Sequence, residues 1–268
     1  KLANSINTEI TANTAKVTNA THTGDVTGAT ALTIATDAVD IAMLSATGTA
    51  DGTTFLRGDN AWASAAAGLN SVQVFTSGGT WTRPASITKV IVHVVGAGGA
   101  GGGGRSGYNY TGTGGGASGL AIKFLDVSSI STSTITIAAA ITGAAIDASG
   151  ADGGDSSWAD GTNTIAGNGG DGGNYGGESY SEPGGTASGG DINSTGGSGM
   201  AGPAPNTDAH GGGPGGICCH GFGGSGGAMV RGNWDNDAKG YGHGGGGGAK
   251  NCTGGASAPG IIVVWEYK

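Results

Sequence analysis

"VIVHVVGAGGAGGGG", residues 90–104, decides the fold: a run of branched apolar residues passes directly into glycine. The first part, with Ile87 just upstream, reads as a strand over 87–95, buried on one face or both. The second part has no side chains to bury. Ordering each glycine costs roughly 0.5–1 kcal/mol more than ordering alanine, so whatever orders this stretch has to come from the backbone.

The rest of the chain carries the same contrast. Of the 62 glycines in 268 residues, 8 precede Gly96 and none follows Gly260, which draws a compositional boundary near residue 95. Ile, Val, Leu and Phe account for only 41 residues, under the one-fifth that usually accompanies a packed chain. Charged residues make up 11%, far fewer than a charge-solubilised disordered chain carries.

Further apolar runs lie at 119–127 ("GLAIKFLDV"), 133–141 ("STITIAAAI") and 260–268 ("GIIVVWEYK"). "SVQVFTSGGTWTRP", residues 71–84, reads as a hairpin turning at Gly78-Gly79. These strands bracket the glycine region. If the first and last of them pair, with 261–267 against 90–95, the glycine stretches become long loops anchored on a rigid base. Unstructured loops of 30 residues do not suit a compact domain. Extended left-handed polyglycine helices offer a way out, because with three residues per turn and no side chains they pack closely and exchange backbone hydrogen bonds. Collagen is excluded, since glycine never keeps a strict third-residue register. The expected fold is all-β, a β-sandwich-like domain over 69–268 with long glycine-rich loops.

Residues 1–68 differ. Ile6, Ile10 and Val17 share one side of a short helix, and short extended pieces with Thr and turn glycines follow. "RGDN", residues 57–60, reads as a plain turn. So few apolar side chains cannot close a core singly, so this segment is expected to be an oligomeric stalk or connector.

Net charge is −8, from 11 basic and 19 acidic residues, with no basic cluster. Nucleic acid and anionic membranes are therefore poor partners, and neither nucleic-acid binding nor membrane insertion is expected. No stretch reaches the ~20 apolar residues of a membrane span, and "KLANSINTEI" lacks a signal-peptide core. Starting at Lys1, the chain reads as part of something longer. Cys218, Cys219 and Cys252 are too few for a secreted disulfide framework and suit a reducing site of synthesis. They and His220 lack zinc-type spacing, so the cysteines read as small buried hydrophobes and neither cofactor nor metal is expected.

"HTGDVTGATALTIA" and "GTADGTTFLRGDNAWA" resemble repeats and joining segments of bacteriophage tail fibres. "VFTSGGTWTRPASITKVIVHVVGAGGAGGGG" and "GGASAPGIIVVWEY" resemble the opening and closing strands of the glycine-rich domain that tips many such fibres. The resemblance covers most of 21–104 and 253–268, and glycine-rich T-even-type distal adhesins are similar in composition. It implies a homotrimer at the distal end of a fibre on the virion, assembled in the bacterial cytoplasm. Its partner would be a host surface polysaccharide, lipopolysaccharide or outer-membrane protein. The family supplies no invariant site residues to carry over.

Within the glycine region, aromatics stand alone on a backbone without side chains. Tyr108, Tyr110, Trp158, Tyr175, Tyr180, Trp234 and Tyr241 are the candidate receptor contacts, because aromatic faces stack on sugar rings and bury large area at low entropic cost. Polar neighbours favour Tyr108, Tyr110, Tyr175 and Tyr180 as contacts, whereas the others could equally plug gaps. "GDSSWADG" offers Ser156 as a nucleophile without the strand-to-helix elbow one needs, and the carboxylates beside glycine suit turns. The expectation is a non-enzymatic adhesin. A structural or ice-binding protein and a polysaccharide depolymerase are the alternatives, needing regular Thr or Ala repeats and a convergent acidic cleft respectively.

Overall fold

The computed structural model describes residues 3–17, 26–27, 33–36, 38–39, 43–64, 68–175, 181–202, 211–218 and 236–268. The chain divides into two compact units, Lys1–Ala66 and Ala67–Lys268.

The first unit begins with helix α1 (Asn4–Val17). The hydroxyls of Thr8, Thr11 and Thr14 donate back to the carbonyls of Asn4, Asn7 and Ile10. Strands β1 (Val26–Thr27) and β2 (Thr33–Ile34) pair antiparallel, as do β3 (Thr54–Leu56) and β4 (Trp62–Ser64). The turn joining β3 to β4 carries the Arg-Gly-Asp tripeptide. Arg57 and Asp59 form an exposed ion pair across it at 3.2 Å, and Asn60 takes the left-handed conformation at φ 61°.

The second unit is a sandwich of antiparallel sheets. Its strands are β5 (Leu69–Phe75), β6 (Gly79–Thr82), β7 (Lys89–Val95), β8 (Leu120–Asp126), β9 (Thr132–Thr136), β10 (Ser156–Ala159), β11 (Thr164–Gly167), β12 (Ala187–Ser188), β13 (Ile192–Ser194) and β14 (Ile261–Tyr267). One sheet has the order β13-β8-β7-β14-β5, the other β12-β11-β10-β9-β6. The two long apolar runs do pair: β14 lies antiparallel on β7 from Ile261↔Val95 to Tyr267↔Lys89.

Between the sheets, Val90, Val92, Val94, Ile262 and Val264 meet Trp81, Ile135, Trp158 and Ile165, all buried. Each aliphatic side chain so buried contributes roughly 1.5–3 kcal/mol. Trp81 and Trp158 form the centre, their ring centroids 4.9 Å apart. Glu266 also points into this core. Its carboxylate accepts from the Ser71 hydroxyl at 2.5 Å, the Gln73 amide at 2.7 Å and Trp81 Nε1 at 2.7 Å, which ties β5, β14 and β6 together.

Three sequence expectations change. Residues 71–84 do not make a hairpin: β5 pairs with β14 and β6 with β9, so the chain crosses between sheets at 76–78, where Trp81 reaches the core opposite β14. The run 133–141 is strand only as far as Thr136, because beyond it the alanines join the glycine packing. Residues 156–167, for which the sequence suggested no strand, form the hairpin β10–β11, with Gly161 at φ 88° in its turn.

The glycines between the strands form a lattice of polyglycine II helices. In segment 96–105, the N–H groups of Ala97, Ala100 and Gly103 donate to the carbonyls of Gly154, Ala151 and Ala148. Those of Gly98, Gly101 and Gly104 go to Ala258, Gly255 and Cys252. Those of Gly99, Gly102 and Arg105 go to Gly116, Thr113 and Tyr110. Every third donor thus faces the same antiparallel neighbour, which is the signature of three residues per turn with no internal hydrogen bonds. The carbonyls of the same segment accept from three further neighbours, through Gly170 and Gly173, Gly245 and Gly248, and Ala144 and Asp147. The segment is therefore surrounded by backbone on all sides. Segment 112–119 repeats the pattern, donating to 242–248, 168–174 and 197–200 in turn.

Close approach is what demands glycine here. A Cβ on Gly101 would sit under 3.0 Å from the carbonyl oxygen of Gly246, and one on Gly104 equally close to that of Ala249. Each N–H···O bond nets about 1 kcal/mol, which offsets the extra entropy of ordering glycine.

Candidate functional site

Each lattice segment leaves the sandwich at a strand end and comes back as its own antiparallel neighbour, so the turns between partners collect at the end away from the strands. Segment 96–104 leaves β7 and returns to β8; 138–147 leaves β9 and returns to β10. Segment 242–248 turns back into 252–260 and β14. Three apices are tight turns, closed by Arg105 N–H to Tyr110, Ala148 N–H to Ala145 and Cys252 N–H to Ala249. Each contains one left-handed residue: Gly107 (φ 69°), Asp147 (φ 60°) and Asn251 (φ 56°). Glycine, Asp and Asn are the residue types that tolerate this conformation.

Side chains stitch the apices to one another. The backbone N–H of Ser106 donates to Asp147 Oδ1 at 2.7 Å, and its hydroxyl donates to the other carboxylate oxygen. Gly107 N–H donates to Asn251 Oδ1 at 3.3 Å, and Lys250 Nζ to Asn109 Oδ1 at 2.8 Å. Asn174, at the next apex, donates through its backbone N–H to Thr113 Oγ1 at 2.7 Å and through its amide to Glu182 Oε1 at 2.6 Å. Ser149 bridges towards Asn174 and Tyr175. The Ser106 hydroxyl and N–H, with the charge of Arg105, hold the Asp147 carboxyl below the usual carboxylate range.

An aromatic and cationic cluster stands on this framework. The Arg105 guanidinium lies 4.6 Å from the Tyr108 ring centroid and 5.9 Å from that of Tyr110, with the two rings 6.3 Å apart. Tyr108 is 56% exposed and Tyr175 47%. Ile146 and Met200 are also exposed. Rigid aromatic faces beside amides and hydroxyls make a surface that binds by stacking and hydrogen bonding at low ordering cost.

Residues 70–267 match the family model described as a glycine-rich domain. The chain belongs to this glycine-rich domain family. A search of curated proteins finds no match to the chain.

The glycine-rich domain brings together only part of the expected site. Tyr108, Tyr110 and Tyr175 reach the apices. Trp158 does not: it is fully buried on β10, packed on Trp81 where no receptor reaches, because its strand alternates into the sandwich core. Tyr241 sits at the opposite, sandwich end, half-buried against the cluster of Val95, Leu120, Ile261 and Cys218, and acts there as a filler. Tyr180 and Trp234 lie outside the described residues.

Ser156 is buried as well, and its hydroxyl accepts from the Ala138 N–H at 3.1 Å. Cys218 and Cys252 are buried. The Cys218 N–H donates to His243 Nδ1 at 3.1 Å, and burial pushes the His243 imidazole below its ordinary value. Among the described residues, no group of three His, Cys, Asp or Glu side chains is placed to hold a metal ion.

The sequence reading missed Arg105, Asn109, Asp147, Asn174, Lys250 and Asn251. A signal exists for four of them: Arg105, Asn109, Asp147 and Asn174 lie near the midpoints of the excursions between β7 and β8, β9 and β10, and β11 and β12. Asn and Asp at those midpoints also mark left-handed turns.

Proposed function

We propose that the chain is the receptor-binding end of a bacteriophage tail fibre, a non-enzymatic adhesin that attaches to the bacterial surface. The observation that carries this reading is the tip: the lattice interior uses no large side chains, and its apices present half-exposed tyrosines on a cross-linked frame. The resemblance of 21–104 and 253–268 to tail-fibre segments supports it. The receptor is a surface polysaccharide, a lipopolysaccharide or an outer-membrane protein, contacted by Tyr108, Tyr110 and Tyr175 with the polar groups around them.

The chain works as a homotrimer at the distal end of the fibre. Ile6, Ile10, Phe55 and Leu56 of the first unit are exposed in a single chain, and association of copies would bury them. Three tips per fibre and several fibres per virion let weak single-site binding suffice.

The test is adsorption of the purified chain to bacteria stripped separately of each surface component. Stripping the true receptor, or substituting Tyr108→Ala with Tyr175→Ala, is expected to lower adsorption about tenfold or more. Unchanged adsorption by the folded double variant removes the tip as the receptor site.

A further inference from the structure

The basic side chains of the glycine-rich domain are used in two ways. In the sandwich, Arg83 donates to the carbonyls of Ile130 and Ile87 at 2.9 and 3.0 Å, and Lys123 pairs with Asp191 at 2.7 Å. Those cations serve the fold. Arg105 and Lys250 stand instead on the apices 105–110 and 249–252, and among the described residues neither forms an ion pair. Together with the apex 144–149, these segments carry two cations and one carboxylate, Asp147, on a chain whose net charge is −8.

A protein holds a sugar through its hydroxyls with carboxylate and amide oxygens, which accept, or through an anionic group with donors. At these apices the side-chain acceptors already serve the protein. Asp147 accepts from the N–H and the hydroxyl of Ser106, Asn251 Oδ1 from the Gly107 N–H, and Asn109 Oδ1 from the Lys250 ammonium. Donors are what remain. The Lys250 ammonium has three N–H groups and gives one to Asn109, whose own amide nitrogen is a further donor. The Arg105 guanidinium is held against the Tyr108 and Tyr110 rings at 4.6 and 5.9 Å, and among the described residues no acceptor takes its N–H groups. A guanidinium positioned in advance loses little freedom on gripping a carboxylate or phosphate, which it can do bidentately. The half-exposed Tyr108 ring stands beside it as a stacking face.

We propose that the ligand of the tip is an anionic glycan, whose sugar carboxylate or phosphate is taken by Arg105 and Lys250 while Tyr108 stacks on a sugar ring. The inference rests on the proposed adhesin and names the chemistry its tip selects. The uronates of an acidic polysaccharide and the phosphates of a lipopolysaccharide share that chemistry. In physiological salt, fields decay over about 8 Å. At the apices Arg105 and Lys250 therefore outweigh the acidic residues elsewhere in the chain, and an anionic surface is met by the apices first.

The test uses the full chain, bacteria to which it adsorbs, and glycan extracted from them and immobilised. The glycan is presented untreated, carboxyl-reduced so that uronates become neutral sugars, or dephosphorylated with hydrofluoric acid. The wild type is expected to bind the untreated glycan, and one treatment to weaken binding about tenfold or more. Loss on carboxyl reduction identifies a uronate, and loss on dephosphorylation a phosphate. Arg105→Gln with Lys250→Gln is expected to weaken binding as much, to melt normally, and to flatten the salt dependence between about 50 and about 500 mM NaCl. Binding that survives both treatments applied together, or that the folded double variant retains, overturns the anionic glycan. An equal loss in Lys123→Gln, which removes a cation of the sandwich, makes the effect one of net charge and overturns the site. If the double variant does not fold, the two treatments, which need no variant, decide. Adsorption to cells without binding to the extracted glycan makes the receptor a protein, which overturns this inference and leaves the adhesin standing. Failure to adsorb to bacteria at all removes the adhesin and this inference with it.

Discussion

The sandwich and the glycine lattice hold one domain together by opposite means. Inside the sandwich, Trp81, Trp158, Val92 and Ile262 fill the space and the backbone carries them. Inside the lattice the backbone is itself the filling, and a Cβ has nowhere to go at Gly101 or Gly104. Side chains act there at the margins: Asp155 and Asp152 accept the N–H groups of Gly169 and Gly172, three residues apart, in place of a backbone carbonyl. A core of side chains tolerates conservative exchange. A core of backbone tolerates no added atom inside and leaves its apices free to vary, which suits a binding tip on a fixed frame.

The contrast breaks first at the lattice. Gly101→Ala drives a methyl into a carbonyl that neighbours hold on every side, and a loss on the order of 4 kcal/mol or complete failure to fold is expected. Gly79→Ala on β6, where a Cβ meets nothing within 4 Å, should stay within about 1 kcal/mol of wild type. Paired thermal melts check this, and similar melting of the two variants would refute backbone close packing.

In the sandwich, Trp158→Ala is expected to cost about 3–5 kcal/mol. Adsorption per folded molecule should be unaffected, because the ring lies in the core. A stable Trp158→Ala chain with lost adsorption would return this residue to the receptor site.

A smaller effect joins the two regions at His243, whose Nδ1 accepts from the Cys218 N–H. Burial lowers its pKa, so between the folded value and the ordinary 6.5 the unfolded chain binds more protons. Stability therefore rises with pH across that window. The contribution is complete above about 6.5 and is lost as pH falls towards the folded value. His243→Asn keeps an acceptor that does not titrate. Melts between pH 7 and 5 should show a shallower acid slope in this variant, and identical slopes would count against the assignment.

The smallest expected change is the stability of Tyr108→Ala or Tyr175→Ala, within about 0.5 kcal/mol for half-exposed apical rings. A loss of several kcal/mol would make them fillers, like Tyr241.

The sequence made the frame legible and hid the tip. Val90–Val95 and Ile261–Tyr267 announce a buried strand pair, because branched residues on adjacent positions need cover on both faces. The β10–β11 hairpin was also legible, through Asp160-Gly161 between Trp158 and Ile165, but its short strands were overshadowed by the carboxylates around them. Polar neighbours separated Tyr108, Tyr110 and Tyr175 from the core aromatics. Trp158 was misplaced because its alternation with Ser157 and Ala159 is too brief to show which way the ring turns. The lattice hides its partners for a different reason. Glycine offers no apolar pattern, and Gly98, Gly99 and Ala100 each find a partner in a different distant segment, so the meeting of Ser106 with Asp147 and Gly107 with Asn251 depends on contacts no local signal encodes.

Amide hydrogen exchange over residues 97–104 tests the lattice most directly. The donors of Gly98, Gly99, Gly101 and Gly102 point to two different neighbours and lie in neither α-helix nor β-sheet. They are expected to exchange only when the whole domain unfolds, as slowly as Val92 on β7 and roughly 10⁴-fold or more below the unfolded-chain rate. Exchange of these four glycines at the unfolded-chain rate, beside a protected β7, would contradict the lattice and leave the glycines as loops on a sandwich.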